Sequence, residues 1–238
     1  MSLKDKTIVV TGGSRGLGLG LVEALVDQGA KVTVVARDQA ALTAVKQRIG
    51  VVTISADVTD ETAAHRILAE VRPDILVLNA GATPRMGRLD QISWADFTAT
   101  WETDVKAGLY WLQAALNLPL KPGSRVLVGS SGAAVNGSPM SGGYAGAKHM
   151  LWFMARYANG VSEQKKLGIR FQAIVPLQII GGTGGSATPA PTPTRARWAL
   201  SARRTWPGSE RRFRPANSAT TWSPCLTIRS TPQASSSV

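Results

Sequence analysis

Tyr144-Ala-Gly-Ala-Lys148 places a phenol and an ammonium four residues apart. On a helix that spacing puts both on one face. A free phenol gives up its proton only near pH 10. A neighbouring positive charge favours the phenolate and makes the tyrosine a usable proton donor or acceptor near neutrality. Ser131 stands thirteen residues before Tyr144, just after an apolar run, Arg125–Val128. Its hydroxyl can hydrogen-bond a substrate oxygen whose charge changes during reaction. Ser130 is the neighbouring alternative, and spacing favours Ser131.

A second constellation is Thr11-Gly-Gly-Ser-Arg-Gly-Leu-Gly18. Thr7–Val10 before it reads as a short buried strand. After it Leu17, Leu21, Val22, Leu25 and Val26 recur at helical spacing. A strand–glycine turn–helix aims free backbone N–H groups and the positive end of a helix at one point, which suits a phosphate. Gly12, Gly16 and Gly18 form GxxxGxG, and no Gly-Lys-Ser/Thr follows, so this is not a nucleotide-triphosphate loop.

The elements that carry these groups alternate. Strands are expected at Lys31–Ala36, Val51–Ser55, Asp74–Leu78, Arg125–Val128 and Ile169–Val175, besides the first. Helices are expected at Gln39–Ile49, Glu61–Val71, Thr98–Leu118 and Gly143–Gly160, with a separate short one capped by Ser93. This alternation predicts an α/β fold: a doubly wound parallel sheet of Rossmann type with six clear strands. Open parallel sheets bind ligands at their carboxyl ends, where Ser131 and the glycine turn fall.

The 238 residues suffice for one such domain, expected at 1–184. No apolar run approaches a membrane span, no signal-type segment precedes the first strand, and Cys225 is the single cysteine. A cytoplasmic protein with no membrane partner is the expectation. The net charge is +12, but residues 185–238 hold eight arginines against one acid, while all nine lysines lie earlier. That segment, with Pro189, Pro191 and Pro193, reads as a poorly ordered Pro/Arg/Ser/Thr-rich tail. Its composition also fits a shifted reading frame of a GC-rich gene, and the protein sequence does not decide between the two. The tail carries no nucleic-acid-binding motif, so a nucleic-acid partner is not expected.

Taken together, TGxxxGxG at Thr11–Gly18, Asp57-Val58, Asn79-Ala80-Gly81, Ser131 and Tyr144/Lys148 resemble the short-chain dehydrogenase/reductase family, in order and spacing, over residues 5–184. The resemblance implies an oxidoreductase interconverting a carbonyl and an alcohol on a small-molecule substrate. It implies that Gly12, Ser14, Arg15, Gly16, Leu17 and Gly18 hold the cofactor pyrophosphate and that Asp57 and Val58 flank the adenine. Asn79, Ala80 and Gly81 would border the cofactor, as would Pro176. Ser131 would orient the substrate oxygen and Tyr144 exchange its proton. Lys148 would bind the nicotinamide ribose and favour the phenolate. A homodimer or homotetramer is implied too. The place about 20 residues past the glycines, where an NAD reader carries an acid, holds Ala36-Arg37. With Arg15 nearby, two guanidinium groups suit a 2′-phosphate, so NADP is expected over NAD. The competing reading has Arg37 solvated and Asp38 taking the ribose hydroxyl.

The chain departs from the family in three places. Asp104 stands where a catalytic asparagine is usual, and its carboxylate would offset part of the Lys148 field at Tyr144. The Pro-Gly after the sixth strand is Pro176-Leu177. The substrate-covering helix and seventh strand have no convincing counterpart after residue 185. Trp94, Trp101, Trp111 and Trp152 read as core or interface residues. Met150–Met154 is apolar right round its helix and implies a partner helix. His65 and His149 read as structural or solvated.

Overall fold

A computed structural model describes residues 2–176. The expectations for the tail, the seventh strand, Leu177 and Cys225 lie outside these residues. The described chain runs β1 (Thr7–Thr11), α1 (Gly16–Asp27), β2 (Lys31–Ala36), α2 (Gln39–Ile49), β3 (Val52–Ser55), α3 (Glu61–Val71), β4 (Ile75–Leu78) and α4 (Trp94–Thr100). It continues through a π-helical turn (Trp101–Val105), α5 (Lys106–Asn117), β5 (Arg125–Gly129), α6 (Ala133–Asn136), α7 (Tyr144–Gln164) and β6 (Arg170–Ile174).

The six strands form one parallel sheet in the order β3-β2-β1-β4-β5-β6. The chain starts in the middle, winds outward to β3, then returns past β1 to build the other half. This is the doubly wound arrangement, with its switch point between β1 and β4. Parallel strands need helical crossovers, so both sheet faces are covered and the central strands are apolar throughout. Ile8, Val9 and Val10 of β1 and all four residues of β4 are buried. Two cores result. One packs Val10, Val22, Val34 and Leu42 under α1 and α2, and the other packs Val9, Leu76, Trp111 and Phe171 under α3, α5 and α7.

Local chemistry sets the helix starts. Asp38 accepts the Ala41 N–H at 3.0 Å, Asp60 the Thr62 N–H at 2.9 Å and Ser93 the Asp96 N–H at 3.1 Å. Each satisfies an end group that would otherwise lack a partner. The helix expected separately over Thr98–Leu118 needs correction. The Ser93-capped α4 does not stop; it passes through the π turn directly into α5. Nothing between Trp94 and Asn117 breaks a helix, and the irregularity is one of hydrogen-bond register, which side-chain periodicity does not report. The short α6 was not expected. Trp111 is core, as expected, and its indole donates to the Val58 carbonyl at 3.1 Å. Trp94 is not core: it is 76% exposed and stacks on Phe97.

Candidate active site

The loop from β1 to α1 is a backbone cradle. Gly12 and Gly16 sit at φ +67° and +54°, where side chains are strained. A Cβ on Gly18 would collide with the Gly12 carbonyl oxygen and come within 2.5 Å of Asn79 Nδ2. Asn79 locks the turn from β4, donating to the carbonyls of Thr11 and Gly12 at 3.3 and 3.2 Å. The Thr11 hydroxyl adds a second tie, accepting the Asn79 and Ala80 N–H groups at 3.1 Å each. At the start of α1, Arg15 is extended and no side chain caps the helix; its first turn contains no acid. Unlike α2 and α3, whose first turns are capped by aspartates, this helix leaves its amino-end N–H groups without a side-chain cap.

At the end of β2, Arg37 is exposed and its Nη1 lies 3.7 Å from Asp57 Oδ2. Ala36 pairs with Ser55 in the β2–β3 register, so the two side chains leave adjacent strand ends. Asp57 Oδ1 accepts from both the N–H and hydroxyl of Thr59 at 2.8 Å. The Thr59 backbone bond is the main influence holding its carboxyl below the usual range, with Arg37 contributing less. Asp38 is occupied as the α2 cap. Val58 is buried against α5.

The phenol–ammonium pair sits at the start of α7. Tyr144 is its first residue, its N–H bonded to the Ser141 carbonyl at 3.0 Å. Lys148 Nζ lies 5.8 Å from the Tyr144 ring centroid. Ser131 follows β5, and its hydroxyl oxygen accepts the Ala133 N–H at 3.2 Å. Ser130, by contrast, is buried and donates to the Lys148 carbonyl at 2.8 Å, anchoring β5 to α7. Pro176 accepts the Gly132 N–H at 3.0 Å, beside the Ser131 loop. Ser14 and Leu17 are half-buried within the cradle.

Asp104 joins this group through the π turn. Its carboxylate is fully buried, with Oδ2 2.8 Å from Lys148 Nζ, while the lysine side chain is 11% exposed. Oδ1 accepts the Ala82 N–H at 2.7 Å. Oδ2 has no aligned hydrogen-bond donor, so its tie to the ammonium is ionic. Gly81 is required opposite it, since a Cβ there would lie 2.7 Å from Oδ2. Sequence reasoning did not find the Thr11, Ala82 or Thr59 bonds; the hydroxyl directly before the glycine turn was the one available signal.

The fold, with a glycine turn at its switch point, defines a doubly wound α/β protein of Rossmann type. A family model described as short chain dehydrogenase matches residues 6–186, and the chain belongs to that family. A short chain dehydrogenase/reductase of Aspergillus aculeatus is 34% identical over 60% of this chain and 54% of its own, so the chain spans about half that protein's length. A 2,5-dichloro-2,5-cyclohexadiene-1,4-diol dehydrogenase of Sphingobium indicum is 31% identical over 73% of this chain and 72% of its own. An NADPH-dependent pterin aldehyde reductase of Arabidopsis thaliana is 31% identical over 72% and 74%. A solved short-chain dehydrogenase/reductase from Brucella melitensis shares the fold with a TM-score of 0.65 at 24% identity, covering 74% of this chain and 77% of its own. The family binds NAD or NADP. No helix among the described residues is long and apolar enough to cross a membrane.

Proposed function

We propose that this chain is an NADP-dependent oxidoreductase interconverting a carbonyl and an alcohol on a small organic molecule. The observation that carries the reading is the Tyr144–Lys148 pair at the start of α7, which Ser130 ties to the end of β5 where Ser131 follows, in a fold whose β1–α1 turn is built on glycines. The cradle fits a dinucleotide: Gly12, Gly13 and Gly18 let the turn pack closely against Ala80, Val22 and Asn79, and the uncapped α1 offers N–H donors to a pyrophosphate. Bound NADPH supplies the hydride.

The chain's own residues do the rest. In the reducing direction Tyr144 donates its hydroxyl proton to the carbonyl oxygen as the carbon is reduced, and in oxidation the phenolate takes it back. Ser131 Oγ donates a hydrogen bond to the same oxygen and holds it against the phenol. Lys148 supports the phenolate electrostatically and holds the ribose. Asp104 fixes the ammonium in place and offsets part of its charge. Arg37 and Arg15 receive the 2′-phosphate; Asp38 is engaged as a cap, which disfavours the NAD reading. Asp57, Val58, Asn79, Ala80, Gly81 and Pro176 form the walls. The Arabidopsis relative's NADPH dependence supports this cofactor choice. The relatives act on a chlorinated cyclohexadiene diol, a pterin aldehyde and, in the rat protein, L-fucose, so they leave the substrate open.

A homodimer through α5 and α7 fits the exposed Leu109 and Tyr157, the latter stacked on Phe153. A second reading, cofactor binding with impaired turnover, is favoured by the buried Asp104–Lys148 pair, because a neutralised ammonium supports a phenolate weakly. Fluorescence titration with NADPH, followed by NADPH oxidation across a panel of ketones and aldehydes, tests the proposal. Saturable binding with turnover supports it. Binding without turnover supports the second reading, and absence of binding overturns both.

A further inference from the structure

The first turn of α7 is built against the helix that carries Asp104. Along α4 and the π turn, Phe97, Trp101 and Asp104 follow one another at helical spacing and so share one side. That side meets α7. Gly143 at the amino end of α7 lies against Phe97, and a Cβ there would collide with the Phe97 carbonyl oxygen. The Trp101 indole N–H donates to the Gly143 carbonyl at 3.0 Å. Its ring runs past Gly146, where a Cβ would lie 3.3 Å from Trp101 Cζ2. Asp104 then reaches Lys148 at 2.8 Å.

The Gly143 carbonyl and the Tyr144 N–H belong to one peptide unit, which is planar. Both of its polar groups are held. The N–H donates to the Ser141 carbonyl at 3.0 Å. The carbonyl accepts the Ala147 N–H at 3.0 Å as well as the indole N–H. Ser141 and Ala147 are close neighbours in sequence and move with the start of α7. Among the described residues Trp101, 42 positions away, is the hydrogen-bond donor that ties this plane to another element. The plane ends at the Tyr144 Cα, so its tilt sets the direction in which the phenol leaves the backbone.

We propose that Trp101 is a positioning residue for Tyr144: its indole N–H orients the Gly143–Tyr144 peptide plane and thereby aims the phenol. This role rests on the reading of Tyr144 as the proton-exchanging group. Without the indole bond the ring takes more than one orientation and meets the substrate oxygen correctly in fewer of them. A misplacement of about 1 Å can cost on the order of a hundredfold in rate. Asp104 fixes the ammonium of the pair and Trp101 fixes the phenol, from the same helix side.

The test uses the full-length protein and two readouts. Trp101→Phe keeps an aromatic ring and removes the N–H. The chain has three tyrosines, Tyr110, Tyr144 and Tyr157, so 3-fluorotyrosine labelling resolves each by fluorine NMR, and Tyr144→Phe identifies the Tyr144 signal. This readout needs neither cofactor nor turnover. In W101F the Tyr144 signal should broaden or gain further components, while those of Tyr110 and Tyr157 stay as they are. The second readout is single-turnover hydride transfer from NADPH to cyclohexanone in the wild type, W101F, Y144F and the double variant. W101F should lower the rate about tenfold to a hundredfold with NADPH affinity unchanged. It should lower the rate no further once Tyr144 is Phe, as expected of residues acting through one group. A Tyr144 signal unchanged from the wild type overturns the proposal, as does equal broadening of all three signals. An equal fall in rate from W101F in both backgrounds also overturns it, since the loss then does not pass through the phenol. If Y144F transfers hydride as fast as the wild type, the reading of Tyr144 falls, while a broadened Tyr144 signal still upholds the hold of Trp101 on the ring. Where cyclohexanone is not reduced, the fluorine spectrum alone decides. Should W101F not fold, Trp101→Met, whose flexible side chain adapts to the same space, carries the same comparison.

Discussion

Replacing Asp104 by Asn removes one charge from a buried pair while keeping shape and the ability to accept from Ala82. At the 2.8 Å separation from Lys148, Coulomb attraction at an effective dielectric of 20 is about 6 kcal/mol. Desolvation cancels part of it, and breaking buried pairs costs roughly 3–5 kcal/mol. The lysine is 11% exposed and regains some hydration, which points to the lower end, about 3 kcal/mol. For a chain of this size that corresponds to a fall in Tm of about 6–12 °C. Thermal unfolding of the wild type, D104N, K148M and the double variant forms a cycle that isolates the pair. The double variant should recover most of the loss, because no charge is left without a partner. A D104N protein melting within about 1 °C of the wild type, well inside the per-kcal scale for this size, would refute the reasoning.

Arg37→Ala should lower affinity for NADPH by about tenfold or more, the scale of losing a charge-assisted contact, while NADH affinity stays within about twofold. Equal losses for both cofactors, measured by fluorescence titration, would remove the 2′-phosphate assignment. Gly18→Ala should abolish cofactor binding and lower stability, since the new methyl meets the Gly12 carbonyl; retained binding would show the cradle to be wrongly drawn. Asp57 has a lowered carboxyl pKa, set mainly by the Thr59 N–H. Its contribution to stability is complete above the ordinary value of 3.8 and is lost as pH falls below it. Asp57→Asn should therefore flatten the acid limb of the stability curve only slightly, the carboxylate being half-exposed; a large change near pH 7 would contradict the sign.

The sheet was legible because parallel strands buried on both faces read as unbroken apolar runs, as in Thr7–Val10 and Asp74–Leu78; the ends moved by a residue where pairing begins or stops. The Ser93 cap was legible from side-chain chemistry, but the run through Trp101–Val105 was not, because a π turn alters backbone bonding without altering composition. The position of Asp104 was readable from the motif order. Its direct contact with Lys148 was not, since it depends on how the π turn swings the carboxylate towards α7. The Arg37–Asp57 contact was available in principle: once β2 and β3 are paired in parallel, residues just past Ala36 and Ser55 must meet.

The most direct test of the central claim is single-turnover hydride transfer from bound NADPH to an accepted ketone, compared between the wild type and Tyr144→Phe. The substitution keeps the ring and removes the transferable proton. The expected result is unchanged NADPH affinity with a rate at least about a hundredfold lower, the usual scale of general acid–base catalysis. Equal transfer rates in the two proteins would contradict the assignment of Tyr144 and, with it, the proposed reaction at this site.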